Sequence, residues 1–255
     1  MARITTIINQ KGGVGKTTTA HALVAGLALE GHRPLAIDTD PQGNLSYTMN
    51  AETGGPGLYG VLRGEVAARD AILRTDQGDI LPSTLMLSAA DLEFTQTGRE
   101  FLLRDALDGM LDDYTHVIID SPPMLGIMTI NALTASTDII IPMGADIYSL
   151  QGLSQLYSTI DRVKRFCNAS LHVAGLLITR YNKRAILTRD LTDAIGETAK
   201  RLDTPLYETI IREGIAIKEA QTQRTSPFAA HKDANPMQDY LAFTREYLAQ
   251  EGDGA

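Results

Sequence analysis

Two lysines, Lys11 and Lys16, share the stretch NQKGGVGKTTTA at residues 9–20, directly after the apolar run ITTII. A glycine-rich turn ending in Gly-Lys-Thr is suited to a polyphosphate. Gly12, Gly13 and Gly15, with Val14 between them, permit backbone angles that aim successive N–H groups at an anion. Lys16 would reach the β- and γ-phosphates, and the Thr17 hydroxyl would bind Mg²⁺. Thr18 would add a hydrogen bond to the α-phosphate. The common form of such a loop, G-x-x-x-x-G-K-[ST], has its first glycine where this chain has Gln10. Lys11 is an extra cation that phosphate binding within one chain does not obviously need.

Carboxylates stand where such a site wants them. Asp38 and Asp40 close the run in AIDTDPQGN, and Asp120 closes VIIDSPP. A carboxylate at the carboxyl end of a strand can hold Mg²⁺, usually through water, or align an attacking water. One aspartate at a strand end is more often a helix cap. Three beside a phosphate loop point instead to metal and water chemistry. The candidates for that work are Thr17, Asp38 and Asp120, with Asp40 beside them.

These groups need a scaffold, and the apolar pattern supplies one. Strand-like runs occur at 4–9, 34–38, 79–83, 115–120, 138–142, 172–182 and 206–211 (LYETII). Helix-like patterns follow the glycine loop to about Glu30 and recur at 99–113, 149–166, 187–202 and 236–249, with one short helix near 58–63. Strands that are apolar on both faces, alternating with helices, predict an α/β fold with a mostly parallel sheet covered on both sides. Right-handed crossovers then gather the loops after the strands at one edge, where ligands bind. The 255 residues read as a single domain, with 250–255 as a disordered tail.

Composition excludes several classes. A single cysteine, Cys167, rules out a disulfide framework or an iron–sulfur site built from paired thiolates. The five histidines lie far apart, without metal-ligand spacing. No apolar run approaches the roughly 18 residues of a membrane span, and no basic-then-apolar leader opens the chain. A cytoplasmic protein is expected. Net charge is −8, unevenly spread: 9 Lys/Arg against 18 Asp/Glu over 1–159, but 13 against 9 over 160–235. The second segment is either an ordinary solvated surface or a face toward a polyanion.

The motifs taken together resemble the ParA/MinD superfamily of P-loop ATPases. KGGVGKTTT looks like its deviant Walker A loop. LAIDTDPQGN, VIIDSPPMLGIMTINAL and IIREGIAIKEAQ resemble the ParA/Soj partition branch, over about residues 3–248. The resemblance implies a P-loop NTPase that hydrolyses ATP with Mg²⁺ and forms a homodimer in the ATP state. Lys11 would then cross the interface to the partner's phosphates. Asp40 would position the attacking water, Asp120 would act on Mg²⁺ through water, and Asp38 would be a neighbouring switch carboxylate. Asn182 would contact adenine, and Pro122 and Pro123 would belong to the second switch loop.

It also implies non-specific double-stranded DNA as a partner, held by basic residues among Lys183, Arg184, Arg189, Arg212 and Lys218, with Arg212 the best match. A ParB-like centromere-binding protein would stimulate slow hydrolysis, and the ATPase would associate with the nucleoid. The alternative within this resemblance is positioning of a cargo other than DNA. Membrane attachment is not expected: the last helical stretch has an apolar stripe at Tyr240, Leu241, Phe243, Tyr247 and Leu248 that suits packing on the core, and an acidic end.

Overall fold

Runs such as HVIID and DIIIPMG, with no polar alternation, are satisfied only when both faces of a strand are covered. The computed structural model, which describes residues 2–51, 54–182 and 186–252, places them so. Its strands are β1 (Arg3–Ile7), β2 (Pro34–Asp38), β3 (Leu73–Thr75), β4 (Gly78–Leu81), β5 (His116–Asp120), β6 (Asp138–Gly144) and β7 (His172–Thr179). Among the described residues they form one sheet in the order β3-β4-β2-β5-β1-β6-β7. All neighbours are parallel except the β3–β4 edge pair.

Twelve α-helices are described: α1 (Lys16–Leu29), α2 (Asn44–Thr48), α3 (Gly57–Leu62), α4 (Ala68–Ala71), α5 (Ala90–Glu93), α6 (Leu102–Leu107), α7 (Ile127–Ala135), α8 (Ile147–Phe166), α9 (Ile186–Arg201), α10 (Ile215–Gln223), α11 (Pro227–His231) and α12 (Asn235–Gly252). Successive strand residues face opposite sides. Ile7, Ala36, Ile118 and Ile140 pack with α1, α2 and α10–α12. Ile4, Leu35, Ile37, Val117 and Ile119 pack beneath α3–α7, and Ile139 and Ile141 beneath α8 and α9. The sheet is thus covered on both faces, as the apolar strands require.

Helix α1 is buried nearly all round, because it lies between the sheet and α12. Gly26 makes this close approach possible: a Cβ there would collide with the Thr244 side chain. The apolar stripe of α12 docks on this layer, with Tyr240 hydrogen-bonded to Thr19 at 3.1 Å and Tyr247 to Thr5 at 2.7 Å.

Two expected elements differ. LYETII is not a strand of the sheet; it meets β7 through one isolated bridge, Leu206 to Leu176, and a second bridge joins Arg212, just past it, to Tyr181 in the loop after β7. The Glu246 carboxylate of α12 captures the N–H groups of Glu208 and Thr209, at 2.6 and 3.0 Å, which breaks the ladder. The single helix expected at 99–113 is a short 3-10 turn, then α6, then a second 3-10 turn, interrupted at Gly109 with φ 74°. The long strand into a loop expected over 172–182 is β7, which ends at Thr179 where Arg180 turns to φ 54° and the loop begins. The last helix continues to Gly252, and residues 253–255 lie outside the described residues.

Candidate functional site

Strand order decides which loops meet. Strand β1 lies between β5 and β6, while the chain leaves β1 for β2 on the far side of β5. This is a switch point, where the loops after neighbouring strands part and leave a crevice. The glycine loop follows β1 there. In register, Asp120 lies beside both Ile7 of β1 and Asp38 of β2. Two carboxylates distant in sequence are thereby neighbours at one sheet edge.

The loop is shaped for an anion. Gly13 has φ 75° and Gly15 φ 90°, in the left-handed region that glycine adopts without strain. Gly15 is the N-cap of α1 and offers no side-chain cap, so the first-turn N–H groups face the crevice unsatisfied by the helix itself. Lys16 is buried, and its ammonium donates to the Lys11 carbonyl at 3.2 Å. Burial lowers the Lys16 pKa, while Asp120 and Asp40 pull it back.

The carboxylates have unlike environments. Asp120 is fully buried, and among the described residues neither of its oxygens has a partner at hydrogen-bonding geometry. Burial and then the charge of Asp38 push its pKa well above the usual carboxylate range; the Thr17 hydroxyl and Lys16 oppose this. An orphaned buried carboxylate beside a threonine hydroxyl and a phosphate loop fits a hydrated divalent cation.

Asp38, by contrast, has both oxygens engaged. Its Oδ1 accepts the Asp40 N–H at 3.1 Å, and its Oδ2 accepts the N–H and hydroxyl of Ser46 at 2.8 and 2.7 Å. Burial raises its pKa to about 6 in spite of these donors. Asp38 thus organises the turn that carries Asp40 rather than offering an open ligand. Asp40 accepts the Gln42 N–H at 3.0 Å, while its carbonyl is held by the Ser83 hydroxyl.

A cleft of about 870 Å³ opens over these groups. Gly12, Gly13, Gly15, Lys16, Thr17 and Thr18 form its floor, and Asp40 and Pro123 one side. The opposite wall comes from residues that sequence reasoning did not assign to the nucleotide: Arg180, residues 211–214, Ile217, Gln221 and Tyr240, with Tyr47 at the rim; of these, Arg212 was expected on DNA and Tyr240 in the core-packing stripe. Gln221 donates to the Thr18 hydroxyl at 3.0 Å. The Arg224 guanidinium stacks 4.6 Å over the Tyr47 ring. Asn182, expected at adenine, is exposed and does not line the cleft. Arg180 stands two residues before it in ITRYN, and no sequence signal separates the two.

Lys11 points elsewhere. It does not line the cleft, and its ammonium is ion-paired with Asp146 in the loop after β6. Burial alone would raise the Asp146 pKa, but Lys11 and Ser149 hold it below the usual range. Of the basic residues expected on DNA, Lys183, Arg184 and the side chain of Arg189 lie outside the described residues. Arg212 forks onto Asp239, at 2.8 and 2.6 Å, and its own N–H donates to the same carboxylate at 2.9 Å. Lys218 is exposed at the cleft wall. Arg212 and Lys218 therefore flank the cleft, and Arg212 is committed within the chain.

A domain model described as an AAA domain (AAA_31) matches residues 2–173. The chromosome partitioning protein ParA of Caulobacter vibrioides is 36% identical over 262 residues, covering 98% of this chain and 96% of that protein. The sporulation initiation inhibitor protein Soj of Bacillus subtilis is 36% identical over 254 residues, covering 98% and 99%. Among solved structures, cobyrinic acid a,c-diamide synthase from Mycobacterium smegmatis, with bound ADP and magnesium, matches at TM-score 0.87 and 31% identity, covering 100% of this chain and 97% of that one. With the loop, the paired strand ends and the near full-length match in agreement, this chain belongs to the ParA/Soj family of P-loop partition ATPases.

Proposed function

We propose that this protein binds ATP and Mg²⁺ in the cleft, dimerises face to face around two nucleotides, and in that state holds non-specific DNA for partition. One observation carries the reading. The two lysines of one loop diverge: Lys16 turns into its own cleft, while Lys11 leaves it for Asp146. Lys11 therefore does not serve its own chain's phosphates, which suits a cation that serves a partner's. Two ATP–Mg sites brought face to face carry excess negative charge, and a lysine exchanged from each side offsets it.

The residues divide the chemistry. Loop N–H groups and Lys16 bind the phosphates, and Thr17 with Asp120 accommodates the hydrated cation, which supplies charge neutralisation at the phosphates. Asp40 aligns the attacking water, and Asp38 with Ser46 holds the Asp40 turn. Hydrolysis is slow until a ParB-like centromere-binding partner contributes; a cation added in trans raises such rates by about 10³–10⁵. DNA is held through phosphates by the net-positive segment 160–235, with Lys183, Arg184 and Arg189 as the leading candidates. Each neutralised phosphate adds roughly −0.9 to the salt slope, so a dimer shows twice the slope of a monomer. Such an ATPase works in the cytoplasm on the nucleoid.

Light scattering with ATP tests the reading. Lys11→Ala should bind nucleotide as the parent does yet stay monomeric, whereas Lys16→Ala should lose nucleotide binding itself. A Lys11→Ala protein that dimerises normally would remove the trans role.

A further inference from the structure

The end of β7 meets the phosphate loop at the cleft wall. The Thr179 hydroxyl donates to the Val14 carbonyl at 2.7 Å, and the Arg180 guanidinium donates through Nη1 to the Gly13 carbonyl at 2.9 Å. Through Nη2, Arg180 also pairs with Glu213 at 3.3 Å, across the cleft wall. Arg180 holds φ at 54°, a left-handed backbone that costs a non-glycine residue energy and persists only where the surroundings enforce it. Stability does not account for the arrangement. The Arg180 and Glu213 side chains are 57% and 46% exposed, and ion pairs in that setting contribute little.

Peptide geometry gives these contacts a consequence. In a planar trans peptide the C=O of one residue and the N–H of the next point in opposite directions. Drawing the Gly13 and Val14 carbonyls toward Arg180 and Thr179 turns the Val14 and Gly15 N–H groups the opposite way, away from the end of β7. Gly13, with φ 75° and no side chain, cannot hold that orientation by itself. A cationic donor on its carbonyl also polarises the peptide and strengthens the attached N–H as a donor.

We propose that Arg180 is a positioning residue for nucleotide binding, bracing the phosphate loop through the Gly13 carbonyl so that the Val14 N–H meets a phosphate oxygen. This rests on the nucleotide occupying the cleft as proposed above. Loop N–H groups cradle the α- and β-phosphates. The brace therefore acts on ADP and ATP alike, unlike a cation that touches the γ-phosphate.

Displacement of a fluorescent ADP analogue by ADP and by ATP, on the full chain, gives both dissociation constants. Arg180→Met should weaken both by about three- to tenfold, the size of one hydrogen bond, and by the same factor. Arg180→Lys should recover part of the loss, since an ammonium can reach the carbonyl but cannot fork onto Glu213. Melting curves without nucleotide confirm that each variant is folded. Binding by Arg180→Met within twofold of the parent would overturn the proposal. So would weakening of ATP alone, which would place the guanidinium on the γ-phosphate, or no recovery by lysine. A parent protein that binds neither nucleotide would sink the cleft reading instead, and is distinguishable for that reason.

Discussion

The wall of the cleft built from β1, β2 and β5 and the wall built from residues 179–224 face the same space, but they are held differently. The first is local. Its glycine turn, its lysine and the start of α1 are consecutive, and Asp38 organises Asp40 two residues away and Ser46 eight residues away. The second is assembled from remote pairs: Arg180 with Gly13, Arg212 with Asp239, Gln221 with Thr18. A local wall carries chemistry that one side chain can abolish. A remote wall spreads its contribution over several modest contacts, so single changes there should have smaller effects.

The largest expected effect falls on the local wall. Asp40→Ala should lower single-turnover ATP hydrolysis by about 10²–10⁴-fold, the span typical of a positioned proton-handling group. Nucleotide affinity should barely move, because the loop and Lys16 are untouched. A variant that hydrolyses as fast as the parent would take the water-aligning role from Asp40.

One buried tether joins the walls, and pH exposes it. Gln77 donates to the carbonyls of Thr48 and Arg224 at 3.0 and 2.9 Å, which leaves its oxygen to face His21 Nε2 at 2.8 Å. His21 therefore carries its proton on Nε2 and is neutral. Burial, opposed by Gln77, lowers its pKa from 6.5 to about 4. Between pH 6.5 and 4 the unfolded chain binds a proton that the folded one refuses. Stability from this group is thus full above 6.5 and falls as pH drops toward 4, by about 3 kcal/mol in total. Asp38 and Asp120 are shifted upward and tilt the curve the opposite way, since their folded forms bind protons more readily. The readout is accordingly a difference: urea unfolding from pH 7 to 4.5 should show His21→Gln losing less stability on acidification than the parent. Equal losses would mean that His21 is not the neutral tether.

The same division explains what was legible in the sequence. β1, the glycine loop and α1 were readable because motif and fold coincide over one continuous stretch. Asp38, Asp40 and Asp120 were readable as strand ends. That Asp120 lies beside Asp38 depends on strand order, which no local pattern encodes. LYETII has the apolar content of a strand, yet Glu246, on a helix far along the chain, takes two of its N–H groups. Lys11 was visible as a surplus charge, whereas its partner Asp146 was not, because a loop after another strand delivers it. Arg212 was singled out by the resemblance alone, and its partner Asp239 was invisible for the same reason: it arrives from the last helix.

Arg212 also sets the smallest and sharpest contrast between the walls. The Asp239 carboxylate is 12% exposed and Arg212 31%, so removing the guanidinium strands a mostly buried charge. Discounted for the solvent that still reaches Arg212, Arg212→Ala should lower the unfolding free energy by about 1–2 kcal/mol. Asp239→Ala should cost about as much, and the double variant little more than either, as expected for one shared interaction. The loop at 211–214 would loosen, and nucleotide affinity with it, while DNA retardation at saturating ATP should remain. Loss of DNA retardation with unchanged unfolding and nucleotide binding would reverse the assignment. It would make Arg212 a DNA contact that the Asp239 pair merely parks, and would extend the DNA face to the lip of the nucleotide cleft.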